Sequence, residues 1–213
     1  WARSAGWPLP PTEYDFVGTG DPNRAGRITA PLGLGLVRGV LDVRGTLDPD
    51  KVVAFNLEYG AGINPTAWAN IGGGDLTGRG EDVLLGRWDT TSLDGLYTLR
   101  LSLTLNDGRF EPSILQITVD NVPPVAQFSA PEQNASYAVS DAVVHLSANV
   151  TDNFEVAYAE IFHNGEFLTK IENAPFNADW VIDAPGVHTF VIVAYDRAGN
   201  SGASQTLTVN VRE

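Results

Sequence analysis

The sequence contains neither cysteine nor methionine. The lack of cysteine excludes a disulfide-stapled scaffold, a thiolate metal site and a cysteine nucleophile. There is also no apolar run of about 18 residues and no basic N-terminal start followed by an apolar segment, so neither a membrane span nor a signal peptide is predicted. Because the chain begins at Trp1 without methionine, we expect it to be a processed or excised piece of a longer protein.

Basic residues are scarce as well. Lysine and arginine number 13 against 26 aspartates and glutamates, which gives a formal net charge of −13. Binding to nucleic acid requires a basic face that neutralises phosphates, and an anionic lipid surface would repel this chain. The composition therefore predicts no nucleic-acid partner and no membrane insertion.

Turn-forming residues, in contrast, are abundant. The chain has 22 glycines and 13 prolines, and between them lie short segments of alternating polar and apolar residues with no helical period. Such a pattern is typical of β-sandwiches. The predicted strands are 40–46, 52–59, 95–103, 114–119, 143–149, 156–162, 167–171, 186–195 and 207–211.

Two similar units follow each other along the chain. One opens at residues 28–31 (ITAP) and the other at 128–131 (FSAP), and each ends in a turn glycine followed by a pair of strong strands. The prolines of the intervening 121–124 segment (NVPP) end the last strand of the first unit. We predict an all-β chain of two tandem immunoglobulin-like, fibronectin III-like β-sandwiches. The domains are a Pro-rich extended leader (1–27), a first sandwich (28–122) and a second, bacterial Ig-like sandwich (123–213).

A search for catalytic motifs is negative. A penicillin-reactive site needs a serine one helical turn before a lysine and a Lys-Thr-Gly strand. Lys51 and Lys170 are preceded at that spacing by Asp48 and Phe167, and neither is followed by Thr-Gly. A Gly-x-Ser-x-Gly elbow is also absent, so the chain is predicted not to be an enzyme and to contain no catalytic residues.

Cofactor and metal motifs are weak. His145, His163 and His188 lie on predicted strands or at their ends without a histidine partner at ligand spacing, which favours solvated or edge positions over a zinc site. The glycines at 72–74 resemble a phosphate-binding loop but lack the following lysine and helix, so they predict a mobile hairpin tip.

Carboxylates near the junction of the two units are a better candidate. Asp120, Asn121, Asp152, Asn153 and Asp196 fall in predicted loops that could meet there. Oxygen ligands suit Ca²⁺. However, aspartate and asparagine are also ordinary turn residues, and the Asp-x-Asp-x-Asp-Gly spacing is absent. The sequence thus predicts no metal or cofactor-binding residues, and Ca²⁺ at the interdomain junction is retained as an alternative.

Three tryptophans raise the question of sugar binding. Trp68, Trp88 and Trp180 could form an aromatic platform against glycan strands. Trp180 alternates with Ile182 as core residues do, and we expect Trp88 to be in a core as well. Trp68 follows a turn and is expected to be exposed.

Longer motifs resemble known families. The second unit is similar to bacterial Ig-like domains in the motifs YAEIFHNG (158–165), PG (185–186) and AYDRAGN (194–200). The leader and first unit resemble the C-terminal extension of class A penicillin-binding proteins, the bifunctional glycosyltransferase/transpeptidases, of Chloroflexus-like bacteria. The motifs that carry this resemblance are PPTEYD (10–15), NLEYGAGINP (56–65) with Trp68, GRWDT (86–90), DGLYTLRL (94–101) and VDNVPP (119–124).

These resemblances imply an extracytoplasmic location, in the cell envelope or secreted. We predict a non-catalytic structural or interaction module, the accessory region of a peptidoglycan-synthesising penicillin-binding protein. The expected partners are cell-wall glycan, envelope proteins and the catalytic domains of the same polypeptide. The alternative is a carbohydrate- or peptidoglycan-binding module of an exported enzyme or of a surface adhesin-type protein.

Overall fold

The computed structural model describes residues 24–75 and 80–213. These residues form seventeen strands and one short 3-10 turn at Val139–Asp141, which confirms the all-β prediction. Most of the predicted leader, 1–27, lies outside the described residues. Its last two residues belong to the first strand, which begins at Gly26.

The first eight strands share the segment from Gly26 to Val119. They are β1 Gly26–Ala30, β2 Leu36–Val37, β3 Val40–Leu47, β4 Val52–Ala61, β5 Ala69–Asp75, β6 Gly80–Asp89, β7 Gly95–Leu105 and β8 Phe110–Val119.

The remaining nine strands follow the Pro-Pro segment. They are β9 Val125–Ala130, β10 Ala135–Ala138, β11 Val143–Thr151, β12 Val156–His163, β13 Glu166–Ile171, β14 Phe176–Val181, β15 Gly186–Asp196, β16 Ser201–Ala203 and β17 Leu207–Arg212.

The chain divides into two compact units. The first comprises the described residues of 1–35, 40–89 and 95–118, and the second comprises 36–39, 90–94 and 119–213. The second unit thus includes two short segments that come earlier in the chain, 36–39, which contains β2, and 90–94.

The first unit pairs its strands in two sheets. One has the order β1-β3-β6, and in the other β8, β7, β4 and β5 are neighbours in that order. Alternating side chains from both sheets fill the core, among them Val43, Leu57, Trp88, Leu101 and Ile117. Each buried side chain of this size contributes about 1.5–3 kcal/mol to folding.

The second unit also has two sheets, in the orders β14-β11-β9 and β10-β17-β15-β12-β13, with β16 paired to β15. Its core is a single cluster of apolar side chains that includes Leu146, Ile161, Trp180, Phe190 and Val209. Asn164 and Gly165 lie between the predicted strands 156–162 and 167–171, and Asn-Gly in that position predicts a hairpin. The hairpin is confirmed, since both residues adopt positive φ (50° and 84°), as a two-residue type I′ turn requires.

The internal repeat is visible in the backbone. Strand β1 carries an extra residue, Thr29, between the paired Ile28 and Ala30. Strand β9 carries an extra residue, Ser129, at the corresponding place between Phe128 and Ala130. Bulges at equivalent positions of the two opening strands support the interpretation that the two units are repeats of the same fold.

Two sequence predictions for the first unit are wrong in detail. The alternation of residues 52–59 predicts that Val53 shares a face with Phe55, Leu57 and Tyr59. Leu57 is buried, but Val53 is 41% exposed and Val52 is buried instead. The cause is a bulge against β7, where Val52 pairs with Leu105 and Ala54 with Thr104. An extra residue in one strand shifts the following side chains to the opposite face.

The glycines at 72–74 are not a mobile hairpin tip. They lie inside β5 and pair with Leu57, Asn56 and Phe55 of β4. A side chain at Gly72 would meet the main-chain oxygen of Leu85 at 2.5 Å. Glycine is needed here because another backbone passes this close to the strand.

Candidate functional site

Three carboxylates converge within the second unit. Asp120 directly follows β8, Asp152 directly follows β11, and Asp196 is the last residue of β15. One oxygen from each lies within 4.8 Å of the others. These are three of the five residues that the sequence placed near the junction, and the fold brings them together from positions 32 and 44 residues apart along the chain.

Asp120 is the most deeply buried of the three. Its side chain is 0% exposed, and its Oδ1 accepts a hydrogen bond from the Val122 main-chain amide at 3.2 Å. Its Oδ2 is buried and accepts no hydrogen bond from the residues that the structure describes. Burial raises the pKa of this carboxyl above its usual range, and the negative charges of Asp196 and Asp152 raise it further.

Asp152 has the same arrangement of its two oxygens. Its Oδ2 accepts hydrogen bonds from the main-chain amides of Phe154 and Glu155, both at 3.0 Å. This turn explains the local use of aspartate, because its side chain caps the backbone two and three residues later. Its Oδ1 is buried, and within the described part of the chain it has no hydrogen-bond partner.

Asp196 is held by Asn200 at the end of the β15–β16 turn. Its Oδ1 accepts from the Asn200 main-chain amide at 2.8 Å, and its Oδ2 accepts from the Asn200 side-chain amide at 2.7 Å. The same side-chain amide also donates to the main-chain oxygen of Asp120 at 2.9 Å. Asn200 therefore links two segments of the cluster, a role that the motif AYDRAGN alone did not reveal.

The cluster has no cationic partner among residues 24–75 and 80–213, since each ion pair found there joins other residues. The nearby guanidinium of Arg38 donates to the side-chain oxygen of Asn200 at 3.3 Å rather than to a carboxylate. The negative charges are thus gathered in a partly buried place without an internal counter-ion.

The two asparagines predicted with this group also form hydrogen bonds to residues outside it. The side chain of Asn121 accepts from the Gly39 amide at 2.9 Å and donates to the oxygens of Thr90 and Leu93 at 2.7 and 2.8 Å. Asn153 is exposed and donates to Asp94 at 3.4 Å. The Asn153 side chain also lies close enough to Asp120 to lower the pKa of that carboxyl, against the larger effect of burial.

The histidines form a pair that the sequence did not predict. His163 Nε2 and His188 Nδ1 are 3.0 Å apart on the adjacent strands β12 and β15. The expectation that all three histidines are solvated or at edges is wrong for His188, which is buried against Trp180. The contact is invisible at the level of sequence spacing because it joins residues 25 positions apart.

The His pair has a defined proton arrangement. His188 Nε2 lies 3.0 Å from the Ala184 main-chain oxygen, which can only accept, so this nitrogen carries the proton. His188 Nδ1 is then the acceptor for the His163 Nε2–H group. Burial, and next the neighbouring His188, lower the pKa of His163. His145 is exposed and pairs with Asp179 at 2.6 Å.

The tryptophans do not form a platform. Trp88 and Trp180 are buried in the cores of the first and second units, as expected. Trp68 was expected to be exposed, but it is half-buried and the Arg100 guanidinium lies 3.9 Å from its ring centroid. Arg100 is itself held by Glu58 at 2.8 Å, so one face of this indole is covered.

Two open cavities lie on the surface of the second unit. One, of about 630 Å³, is lined by polar residues such as Lys170, Asn177 and Asp179. The other, of about 610 Å³, runs beside β9 past Gln127, Phe128 and Gln205.

No helix within the described parts of the chain has the length and apolar character needed to cross a membrane.

Comparison with known proteins supports the fold. Residues 124–192 match the family model described as Bacterial Ig domain. No curated protein matches the chain.

Among solved structures, the fibronectin(III)-like modules of Clostridium thermocellum CbhA are 18% identical, with a TM-score of 0.51, over 87% of this chain and 92% of theirs. Chicken CNTN1 FN1-FN3 domains are 11% identical over 85% of this chain and 69% of theirs, with a TM-score of 0.44. Murine CEACAM1b is 15% identical over 88% and 99%, with a TM-score of 0.41. The family match and the similarity to the CbhA modules confirm an Ig-like, fibronectin III-like sandwich fold.

Proposed function

We propose that this chain is a non-catalytic structural or interaction module of an exported cell-envelope protein. The observation that carries the proposal is the fold itself, a pair of units similar to fibronectin(III)-like modules over 87% of the chain. Sandwiches of this kind support many functions, and what each one does depends on its surface and its host.

The proposed host is a peptidoglycan-synthesising penicillin-binding protein. The support is the resemblance of motifs in the leader and the first unit, such as residues 119–124, to the C-terminal extension of that family. In such a host the module would space, orient or dock the catalytic domains, and the transpeptidase would provide the reactive serine and lysine that this chain lacks.

The host proposal is tested on the full-length gene product with a fluorescent penicillin. We expect covalent labelling of the full-length protein and equal labelling of a version that lacks residues 24–213. We also expect that the shortened version loses its normal position in the cell envelope or its association with other envelope proteins. A full-length protein that does not react with the penicillin would exclude this host, and a shortened version that keeps its position and partners would refute the docking role.

A second candidate function is binding of cell-wall glycan. It is favoured by an aromatic pair on the outer face of the β12–β15 sheet, where the rings of Tyr158 and Tyr195 stack with centroids 4.7 Å apart. The Lys170 ammonium lies 4.0 Å from the Tyr158 ring. Half-buried tyrosines combine an apolar ring with a polar hydroxyl and suit contact with sugar rings.

Sedimentation with purified peptidoglycan at low salt tests this candidate. If the tyrosine pair binds glycan, the wild-type chain pellets with the sacculi and the double variant Tyr158→Ala/Tyr195→Ala remains in the supernatant. Phe110→Ala is the control, because Phe110 is an exposed aromatic residue on β8 of the first unit. Wild-type protein that stays in solution would argue against glycan binding, and equal pelleting of all three proteins would exclude the tyrosine pair as the binding site.

A further inference from the structure

We propose that Asp120, Asp152 and Asp196 bind one Ca²⁺ ion within the second unit. The site would be formed by one carboxylate oxygen from each residue, and these oxygens already lie within 4.8 Å of one another. The proposal concerns the second unit alone and does not depend on the identity of the host.

The first argument is uncompensated charge. Asp120 is fully buried and Asp196 is only 4% exposed, yet no lysine, arginine or histidine of the described residues pairs with either. A buried carboxylate without a counter-charge is strongly unfavourable, and buried charges in proteins are normally paired or coordinate a metal. A bound divalent cation supplies the missing positive charge.

The second argument is the pair of unused oxygens. Asp120 and Asp152 each use one oxygen to accept main-chain amides and leave the other buried without a partner. The amide bonds fix the orientation of each carboxylate. Buried polar atoms nearly always have partners, so two orphan oxygens in one cluster point to a ligand that belongs there.

The donor set selects the class of cation. The three residues offer only carboxylate oxygens, which suit hard cations such as Ca²⁺ and Mg²⁺ rather than Zn²⁺, which prefers nitrogen and sulfur. Ligands of one Ca²⁺ lie about 2.3–2.6 Å from the ion and therefore up to about 5 Å from each other, which agrees with the spacing of the cluster.

The shape of the site favours Ca²⁺ over Mg²⁺. Mg²⁺ demands a nearly ideal octahedron with bonds of about 2.0–2.1 Å, whereas Ca²⁺ accepts irregular sets of about six to eight oxygens. The carboxylates here are fixed by main-chain hydrogen bonds and cannot contract freely. Asp152 is half-buried, which leaves a side from which water can complete the Ca²⁺ shell.

The ion would tie together three segments of the second unit. Asp120 belongs to the stretch that leads into β9, Asp152 to the loop between β11 and β12, and Asp196 to the end of β15. Because the unfolded chain lacks this arrangement, Ca²⁺ would bind the native state selectively and stabilise it.

The test is calorimetric titration of the whole chain with CaCl₂ and MgCl₂, together with thermal unfolding in EDTA and in Ca²⁺. We expect one Ca²⁺ per chain, and a Tm for the second unit that rises by about 5 °C or more at about 100 times the dissociation constant. Asp152→Asn should abolish the Ca²⁺-dependent shift. Its Tm in EDTA should be unchanged or higher, because one repelling charge is removed.

Asp141→Asn is the matched control. The Asp141 carboxylate also accepts a main-chain amide, from Ala138 at 2.8 Å, but it is exposed and outside the cluster. This variant should keep the full Ca²⁺ response. The proposal is overturned if wild type binds no Ca²⁺, or if Asp152→Asn keeps the wild-type shift, and equal binding of Mg²⁺ would overturn the assignment to Ca²⁺. If Asp152→Asn fails to fold, the Ca²⁺ site is tested by the wild-type titration together with Asp196→Asn, which should also abolish the Ca²⁺-dependent shift in Tm.

Discussion

The α-carbon of Gly202 packs directly against the main-chain oxygen of Pro124. Gly202 is the middle residue of β16 and pairs with Ala194 of β15, while Pro124 immediately precedes β9. A Cβ at position 202 would overlap the Pro124 oxygen and contact its carbonyl carbon at 3.1 Å. The Pro-Pro segment can take its observed path only because position 202 has no side chain.

Gly202→Ala should therefore destabilise the second unit. The new methyl group must displace the backbone of Pro124 or of β16, and forced overpacking of this kind costs about 1–3 kcal/mol. Urea denaturation, followed by circular dichroism, measures the loss. Ser201→Ala, at the exposed neighbouring position in the same strand, should change stability by no more than about 0.5 kcal/mol. A Gly202→Ala protein as stable as wild type would show that this packing is absent in solution.

Asn121 lies in the segment between β8 and β9, and we expect its substitution to destabilise the second unit. Its side chain makes three hydrogen bonds to the two segments 36–39 and 90–94. Asn121→Asp keeps the shape but turns an oxygen towards the main-chain oxygens of Thr90 and Leu93. The loss of both donors should lower the free energy of unfolding by about 1–3 kcal/mol, measured in EDTA by urea denaturation.

The control for this substitution is Asn177→Ala. Asn177 is exposed on β14, and its replacement should be nearly neutral. If Asn121→Asp is also neutral, water replaces the three hydrogen bonds and the side chain does not organise these segments.

Strand positions could be predicted from the sequence because local alternation and turn residues determine them. Residues 186–195 and the Asn164-Gly165 turn are examples, and both appear as expected. Departures occur where pairing is not local. The bulge at Val53 depends on the register against β7. Gly72 is needed because the main chain of Leu85 in β6 passes close to it, which no pattern within β5 encodes.

The candidate site was predictable only in part for the same reason. Asp120, Asp152 and Asp196 could be singled out because they follow predicted strands, but their convergence depends on the topology. The orphan oxygens of Asp120 and Asp152, and the link that Asn200 makes, depend on side-chain positions. The His163–His188 contact depends on cross-strand neighbours and had no signal in the linear spacing.

Trp88 allows a test of the core of the first unit. Its ring contacts Tyr59 and Tyr97, with centroids 5.2 and 5.8 Å away, while its buried Nε1–H group has no acceptor among the described residues. Trp88→Phe loses volume but also removes this unsatisfied donor, so we expect a loss of about 1–3 kcal/mol. Trp88→Leu, which also removes the aromatic contacts, should cost more. Urea denaturation compares the two, and an equal loss would mean that the aromatic contacts add nothing beyond volume.

The His163–His188 pair should make the second unit less stable in mild acid. The pKa of His163 is lowered in the folded chain, so below the ordinary value of 6.5 the unfolded chain binds more protons than the native one. Stability must then fall as the pH decreases through that value. The charged groups that change the pKa of His163 are His188 on β15, Asp183 after β14 and Glu166 on β13. The two carboxylates raise this pKa, but burial and His188 lower it by more.

His163→Gln removes the titrating group and keeps an amide that can donate to His188 Nδ1. We expect this variant to lose less stability than wild type when the pH is lowered from about 8 to about 5.5, as measured by urea denaturation at each pH. His145→Gln, at an exposed histidine on β11, serves as the control and should retain the wild-type loss. If His163→Gln and wild type lose the same stability over this range, His163 is not protonated more readily in the unfolded chain, and the burial of the pair has no consequence for its titration.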